Sequence, residues 1–209
     1  MHRLLIDLST LLRWHGPPVG IARCQQKYAD HAARHLPEVQ FTLFDPRSLR
    51  FRAVPREAAL EILSGRLKAD MTMMPDLNRH RQHFVDRVPR SLRPAFWWTT
   101  RFKRKLLTLL EDRRLGTRAP SAAARIERLQ ARLISRKHRP LYYAEDGSRI
   151  RVPSFDRIAG EPVALGPGDI TLAMQTDWIH TDVAAIAELK QHAGFRHVIL
   201  CHDIIPIQF

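Results

Sequence analysis

Two short stretches carry the residue types and spacing that chemistry needs. Gly20-Ile21-Ala22-Arg23 opens a helical pattern just after a loop. A glycine there lets backbone approach a ligand, and the first N–H groups of a helix favour an anion. Arg23, one turn in, can add a forked contact to phosphate or carboxylate. The same glycine also suits a tight turn into the helix, and spacing leaves both readings open. A full Gly-x-Gly-x-x-Gly and a Walker lysine are both missing. The second stretch is His202-Asp203, which follows the apolar run Val198 to Cys201 and precedes Ile204-Ile205-Pro206. Open α/β sheets bind ligands just past the carboxyl ends of their strands. Adjacent residues of an extended chain point to opposite sides, which argues against a metal pair or a single acid–base dyad. His202 can donate to a sugar hydroxyl or phosphate; alternatively it bonds a backbone carbonyl while Asp203 caps the loop.

Other candidates stand beside expected strand ends. Asp7 either serves a ligand or bonds loop amides, and Asp177-Trp178 holds a position like it. His31 and His35, four apart, have zinc-compatible spacing, but no third ligand stands near them. Phe96-Trp97-Trp98 followed by Arg101, Lys103, Arg104 and Lys105 suits a membrane surface, with aromatics at headgroup depth and cations on anionic lipid. The competing reading is a packed aromatic stripe with a solvated basic face. Nucleophile-elbow, His-Glu-x-x-His and Cys-x-x-Cys patterns do not occur.

The elements that position these residues follow from apolar periodicity. Leu4 to Leu8 reads as a buried strand and Ser9 to Val19 as a loop. Gly20 then starts a helix with Ile21, Cys24, Tyr28 and Ala32 on its inner face, ended by Pro37. Val39, Phe41 and Leu43 alternate as a second strand, turned by Asp45-Pro46. The spacing predicts helices over Pro55–Ser64 and Pro94–Leu115, the latter closed by Gly116. A third, capped by Ser121, presents Ile126, Leu129 and Leu133 on one face. Tyr142 to Phe155, centred on Asp146-Gly147, suits a small hairpin. We read about 46–160 as a basic helical insertion. The sheet pattern resumes with a strand at Ile170–Met174, a helix at Thr181–Ala193 and the buried strand Val198–Cys201. The expected fold class is therefore α/β, a parallel sheet flanked by helices, with a basic helical insertion.

The 209 residues suffice for one large domain or two small ones. With 34 Lys and Arg against 21 Asp and Glu, the formal charge is +13, which suggests an anionic partner. Cys24 and Cys201 lie among apolar neighbours and read as small buried hydrophobes, so a disulfide framework is not expected. The basic start is broken by Asp7 too early for a signal peptide, and no window approaches a membrane span. The expected location is cytoplasmic, with peripheral contact at the inner membrane face.

Taken in order, Leu4-Leu5-Ile6-Asp7-Leu8-Ser9, Gly20-Ile21-Ala22-Arg23, Gly168-Asp169-Ile170 with Asp177-Trp178, and His202-Asp203-Ile204-Ile205-Pro206 resemble bacterial glycosyltransferases of family 4. The likeness covers both ends of the chain, and the basic middle corresponds only to a variable insertion. It implies a GT-B architecture of two Rossmann-like domains, with residues 1–209 as the N-terminal, acceptor-side domain and the C-terminal donor domain absent. It further implies retaining transfer of a hexose from a nucleotide sugar to a glycan or lipid-linked acceptor in surface polysaccharide synthesis, without an obligatory metal or other cofactor. On that resemblance Gly20, Arg23, Asp7, Asp177 and Trp178 attend donor and acceptor, while His202 and Asp203 attend the transferred sugar. The final strand, with no helix after Phe209 to cover it, fits one lobe of a larger enzyme that is inactive alone. The rival reading is a non-enzymatic basic adaptor for anionic membrane or nucleic acid; no nucleic-acid module is matched, so nucleic acid is not expected.

Overall fold

A computed structural model describes residues 3–14, 20–69, 93–134, 139, 141–144, 146–173 and 182–199, with the side chains of 93–101 outside that description. Strand β1 (Leu4–Asp7) has apolar residues too closely spaced for a one-sided strand, and it sits at the centre of the sheet, buried beyond Leu4. Helix α1 (Ser9–Arg13) follows directly, where a loop was expected. Its first four residues are buried against the sheet. Helix α2 (Ile21–His35) returns the chain to β2 (Gln40–Asp45), which pairs parallel to β1 with Ile6 opposite Phe41 and Asp7 opposite Thr42.

β3 (Arg50–Val54) folds back antiparallel on β2 through a tight turn in which Leu49 has φ 54°. This strand corrects the boundary at 46: the stretch read as insertion supplies one edge of the sheet. Helix α3 (Arg56–Leu63) begins after Pro55 as expected. Helices α4 (Arg93–Gly116) and α5 (Pro120–Leu133) form an antiparallel pair, followed by the short α6 (Phe155–Ile158). Ser121 does not cap α5; Pro120 occupies its first turn and Ala119 precedes it. Strand β4 (Ile170–Ala173) pairs parallel to β1 on the side away from β2. Helix α7 (Val183–Ala193), capped by the Asp182 carboxylate on the Ala185 amide and stopped by left-handed Gly194, leads to β5 (Arg196–Ile199).

The sheet order is β3-β2-β1-β4-β5, parallel except for β3. The connection from β1 to β2 through α2 and that from β4 to β5 through α7 run in opposite directions along the sheet, which puts the two helices on opposite faces. Two cores record this. Ile6, Phe41, Leu43 and Val54 pack with α1, α2, α3 and α6, whereas Phe44 and Phe51 pack with Ala185, Ile186 and Phe195 on the other side. Within β2, residues 41 and 43 point to one face and Phe44 to the other, as the two-residue period requires. The protein is α/β, with a mixed, mostly parallel sheet flanked by helices and compatible with a Rossmann-like fold.

Three expectations are corrected here. The inner face of α2 is Ala22, Gln25, Ala29, Ala32 and Ala33, so Tyr28 and Cys24 are exposed. Small side chains let the helix lie close to the sheet, and packing distance overrode the larger apolar residues one step round. Strand β5 is not covered on both faces: Val198 and Ile199 are 45% and 42% exposed. It pairs with β4 alone among the described strands, and α7 packs on the sheet through Ala185 and Ile186, beside Phe195 from the segment that follows it. Leu129, expected on the inner face of α5, is exposed, while the polar Gln130 is buried.

The basic middle has its own small core of Leu107, Tyr142 and Val152, joined by Leu133, Ile134 and Ile150. At its centre Glu111, 1% exposed, accepts from Arg114 at 2.7 Å, Arg149 at 2.9 Å and Gln130 at 3.1 Å. The hairpin expected around Asp146-Gly147 is present as a Tyr143–Arg149 bridge, its turn fixed by the Asp146 carboxylate on the Ser148 amide.

Candidate functional site

The strand order reverses between β1 and β4, and α2 reaches the carboxyl end of β1 through Gln25, which bonds the Asp7 carbonyl. Open α/β sheets place ligands at such a point. Gly20 precedes α2 with φ 51° and ψ −123°, a backbone state that side chains disfavour, and its carbonyl accepts from the Arg23 and Cys24 amides. A Cβ added there meets nothing within 4 Å, so the glycine is required by its dihedral angles rather than by crowding. Arg23 is exposed in the first turn. A helix start with a nearby guanidinium favours an anion.

Beneath this helix start lies a buried polar cluster. Asp7, 1% exposed, accepts from the Ser9 amide at 3.0 Å and from Ser9 Oγ at 2.6 Å. Ser9 Oγ in turn accepts from the Phe44 amide at 2.8 Å, tying β1, α1 and β2 together. Gln25 crosses from α2, donating through Nε2 to the Asp7 carbonyl at 2.6 Å. That bond fixes the amide orientation and leaves Gln25 Oε1 fully buried without a donor. Arg13, at the end of α1, feels two opposed effects: burial pulls its pKa down and the Asp7 carboxylate pushes it up. Lys68 approaches the same helix end, donating to the Leu11 carbonyl at 2.9 Å, and burial depresses its pKa to about 8. The cluster therefore combines a buried carboxylate, the half-buried guanidinium of Arg13, the buried ammonium of Lys68 and an acceptor lacking a donor.

Of the stretches singled out from sequence, Asp7 is linked to α2 through Gln25, and Gly20 and Arg23 stand at the start of that helix. Asp177, Trp178, His202 and Asp203 lie outside the described residues, as does Cys201. Trp97, Trp98 and Arg101 fall within α4, but their side chains lie outside the description. Lys105 is exposed, whereas Lys103 and Arg104 are half-buried. His31 and His35 stack at 4.3 Å between ring centroids, and among the described residues no group of three or more His, Cys, Asp or Glu is placed to hold a metal. Ser9 was noted only within the motif of the first strand, and Arg13, Gln25 and Lys68 were missed. A readable signal existed for Gln25, the one polar residue at a helical step in a face otherwise made of alanines. For Arg13 and Lys68 there was none, since their juxtaposition spans 55 residues of chain and a loop was expected where α1 forms.

Fold and site together define an α/β protein with a polar cluster at the switch point of a mostly parallel sheet. Among the described residues, no helix is long and apolar enough to cross a membrane. Compared with known proteins, the chain matches no family model, no curated protein and no solved structure.

Proposed function

We propose that these residues form the acceptor-side, Rossmann-like lobe of a retaining, nucleotide-sugar-dependent glycosyltransferase of GT-B architecture. The observation that carries this reading is that α2, which Gly20 opens, is tied through Gln25 to buried Asp7 at the end of β1, the strand at which the sheet order reverses. A cleft wall of this kind suits a phosphate-bearing donor and a hydroxyl-rich acceptor. Helix-start amides and Arg23 meet negative charge, and the polar cluster below holds that helix in place. The chemistry asks mainly for stabilisation of a departing nucleoside diphosphate, an electrostatic task. In this reading His202 and Asp203 are the catalytic pair, Asp177 and Trp178 serve donor or acceptor binding, and the acceptor is a glycan or lipid-linked sugar of surface polysaccharide.

Calorimetry with UDP-, GDP- and dTDP-sugars tests the proposal on residues 1–209 and on the chain extended by whatever coding sequence follows Phe209. The expected result is no transfer by residues 1–209, nucleotide-sugar binding by the extended chain, and weakening of that binding by Gly20→Val. An extended chain that binds none of the donors overturns the assignment.

A further inference from the structure

Helix α4 buries Glu111 on one side and exposes Phe102 and Leu109 on the other. Glu111 and Asp112 are its only acidic residues. Glu111 is buried among Arg114, Arg149 and Gln130, and Asp112 accepts from the Ser154 amide at 3.0 Å. Phe102, Lys105, Leu109 and Arg113 succeed one another at steps of three, four and four, which places them on one helix face. Phe102 is 54% and Leu109 55% exposed, Lys105 and Arg113 are exposed, and Leu106 between them is half-buried. The stripe spans about 16 Å of helix, and Trp98 stands one turn before Phe102 in the same helix. Residues 93–134 carry eleven Lys and Arg against three Asp and Glu, and α5 adds exposed Arg125, Arg128 and Arg132 at steps of three and four.

We infer that the outer face of α4 docks on an anionic lipid bilayer. Phe102 and Leu109 enter the boundary between headgroups and acyl chains, and Lys105 and Arg113 remain at the level of the lipid phosphates. The helix lies in the plane of the surface, since its opposite side, through Leu107 and Glu111, is committed to the core it shares with α5 and the Tyr143–Arg149 hairpin. Charge selects this occupant. A second copy of a +13 chain would bring like charge to the same stripe, and a nucleic-acid groove offers Leu109 nothing apolar to enter. The inference stands independently of sugar transfer, because none of its residues belongs to the switch-point cluster.

Co-sedimentation of the 209-residue chain with vesicles tests it. Vesicles of phosphatidylcholine with phosphatidylglycerol are compared with phosphatidylcholine alone, and duplex DNA is titrated in parallel. Binding to the anionic vesicles is expected, with little to the neutral ones. The double change Phe102→Asp and Leu109→Asp should weaken it by roughly tenfold or more, and so should Lys105→Glu with Arg113→Glu. Gly20→Val should leave vesicle binding unchanged. All four altered side chains are exposed, so circular dichroism should report a folded α/β protein in each case. Absence of vesicle binding, equal binding by the Phe102/Leu109 variant, or tighter binding to DNA than to vesicles overturns the inference.

Discussion

Lys68 offers a direct test of the polar cluster beneath the sheet. It is 7% exposed, its ammonium reaches the Leu11 carbonyl, and burial lowers its pKa from 10.5 to about 8. Between those two values the unfolded chain keeps the proton that the folded chain has released. The unfolded state then binds more protons, so folding stability rises with pH across that window. At about 1.4 kcal/mol per pH unit the whole contribution is about 3 kcal/mol, of which roughly 1.4 kcal/mol develops between about pH 7 and pH 9. Lys68→Met removes the titrating group while keeping an unbranched side chain of similar length. Urea unfolding of both proteins, followed by far-ultraviolet circular dichroism at the two pH values, isolates this contribution because all other titrations are common to both. The stability of the wild type relative to the variant should climb by roughly 1.4 kcal/mol. A difference that stays flat, or falls as pH rises, would refute the claim that Lys68 is buried with a depressed pKa.

Two further outcomes follow from the geometry. Glu111→Gln leaves Arg114 and Arg149 facing each other without the carboxylate that joins them, at a cost of about 3–5 kcal/mol. Hydrogen exchange should show early loss of protection in α4, α5 and residues 141–152, ahead of the sheet; protection lost first in β1 would contradict the view of this region as a separately cored unit. Gly20→Ala should cost about 1–3 kcal/mol from backbone strain alone, since a Cβ meets nothing within 4 Å there. An unchanged urea midpoint would show that residue 20 does not hold a positive φ.

The bilayer inference and the buried salt-bridge network concern the same α4–α5 unit from two sides. Glu111 gathers Arg114, Arg149 and Gln130 inward, while Lys105 and Arg113 of the same helix are exposed. The carboxylate that steadies the unit thereby leaves its outer surface strongly positive. That division explains how a region with so large a basic excess can still form a packed core.

Sequence alone determined the local elements. The apolar runs at Leu4–Asp7 and Ile170–Ala173 appear as strands, Pro55 and Gly194 bound helices, and Asp146-Gly147 makes its turn. Each of these is dictated by residues within a few positions of one another. Tertiary structure decided which side of each element is covered. In α2 the alanine face won over Ile21, Cys24 and Tyr28 because close approach to a sheet rewards small side chains. β5 is partly exposed and pairs with β4 alone among the described strands, and β3 was drawn into the sheet from a stretch that reads as insertion. The meetings of Glu111 with Arg149, of Lys68 with α1 and of Gln25 with Asp7 join positions 38, 57 and 18 residues apart. Periodicity describes how side chains are arranged along an element, whereas burial and charge pairing depend on which distant element arrives against it.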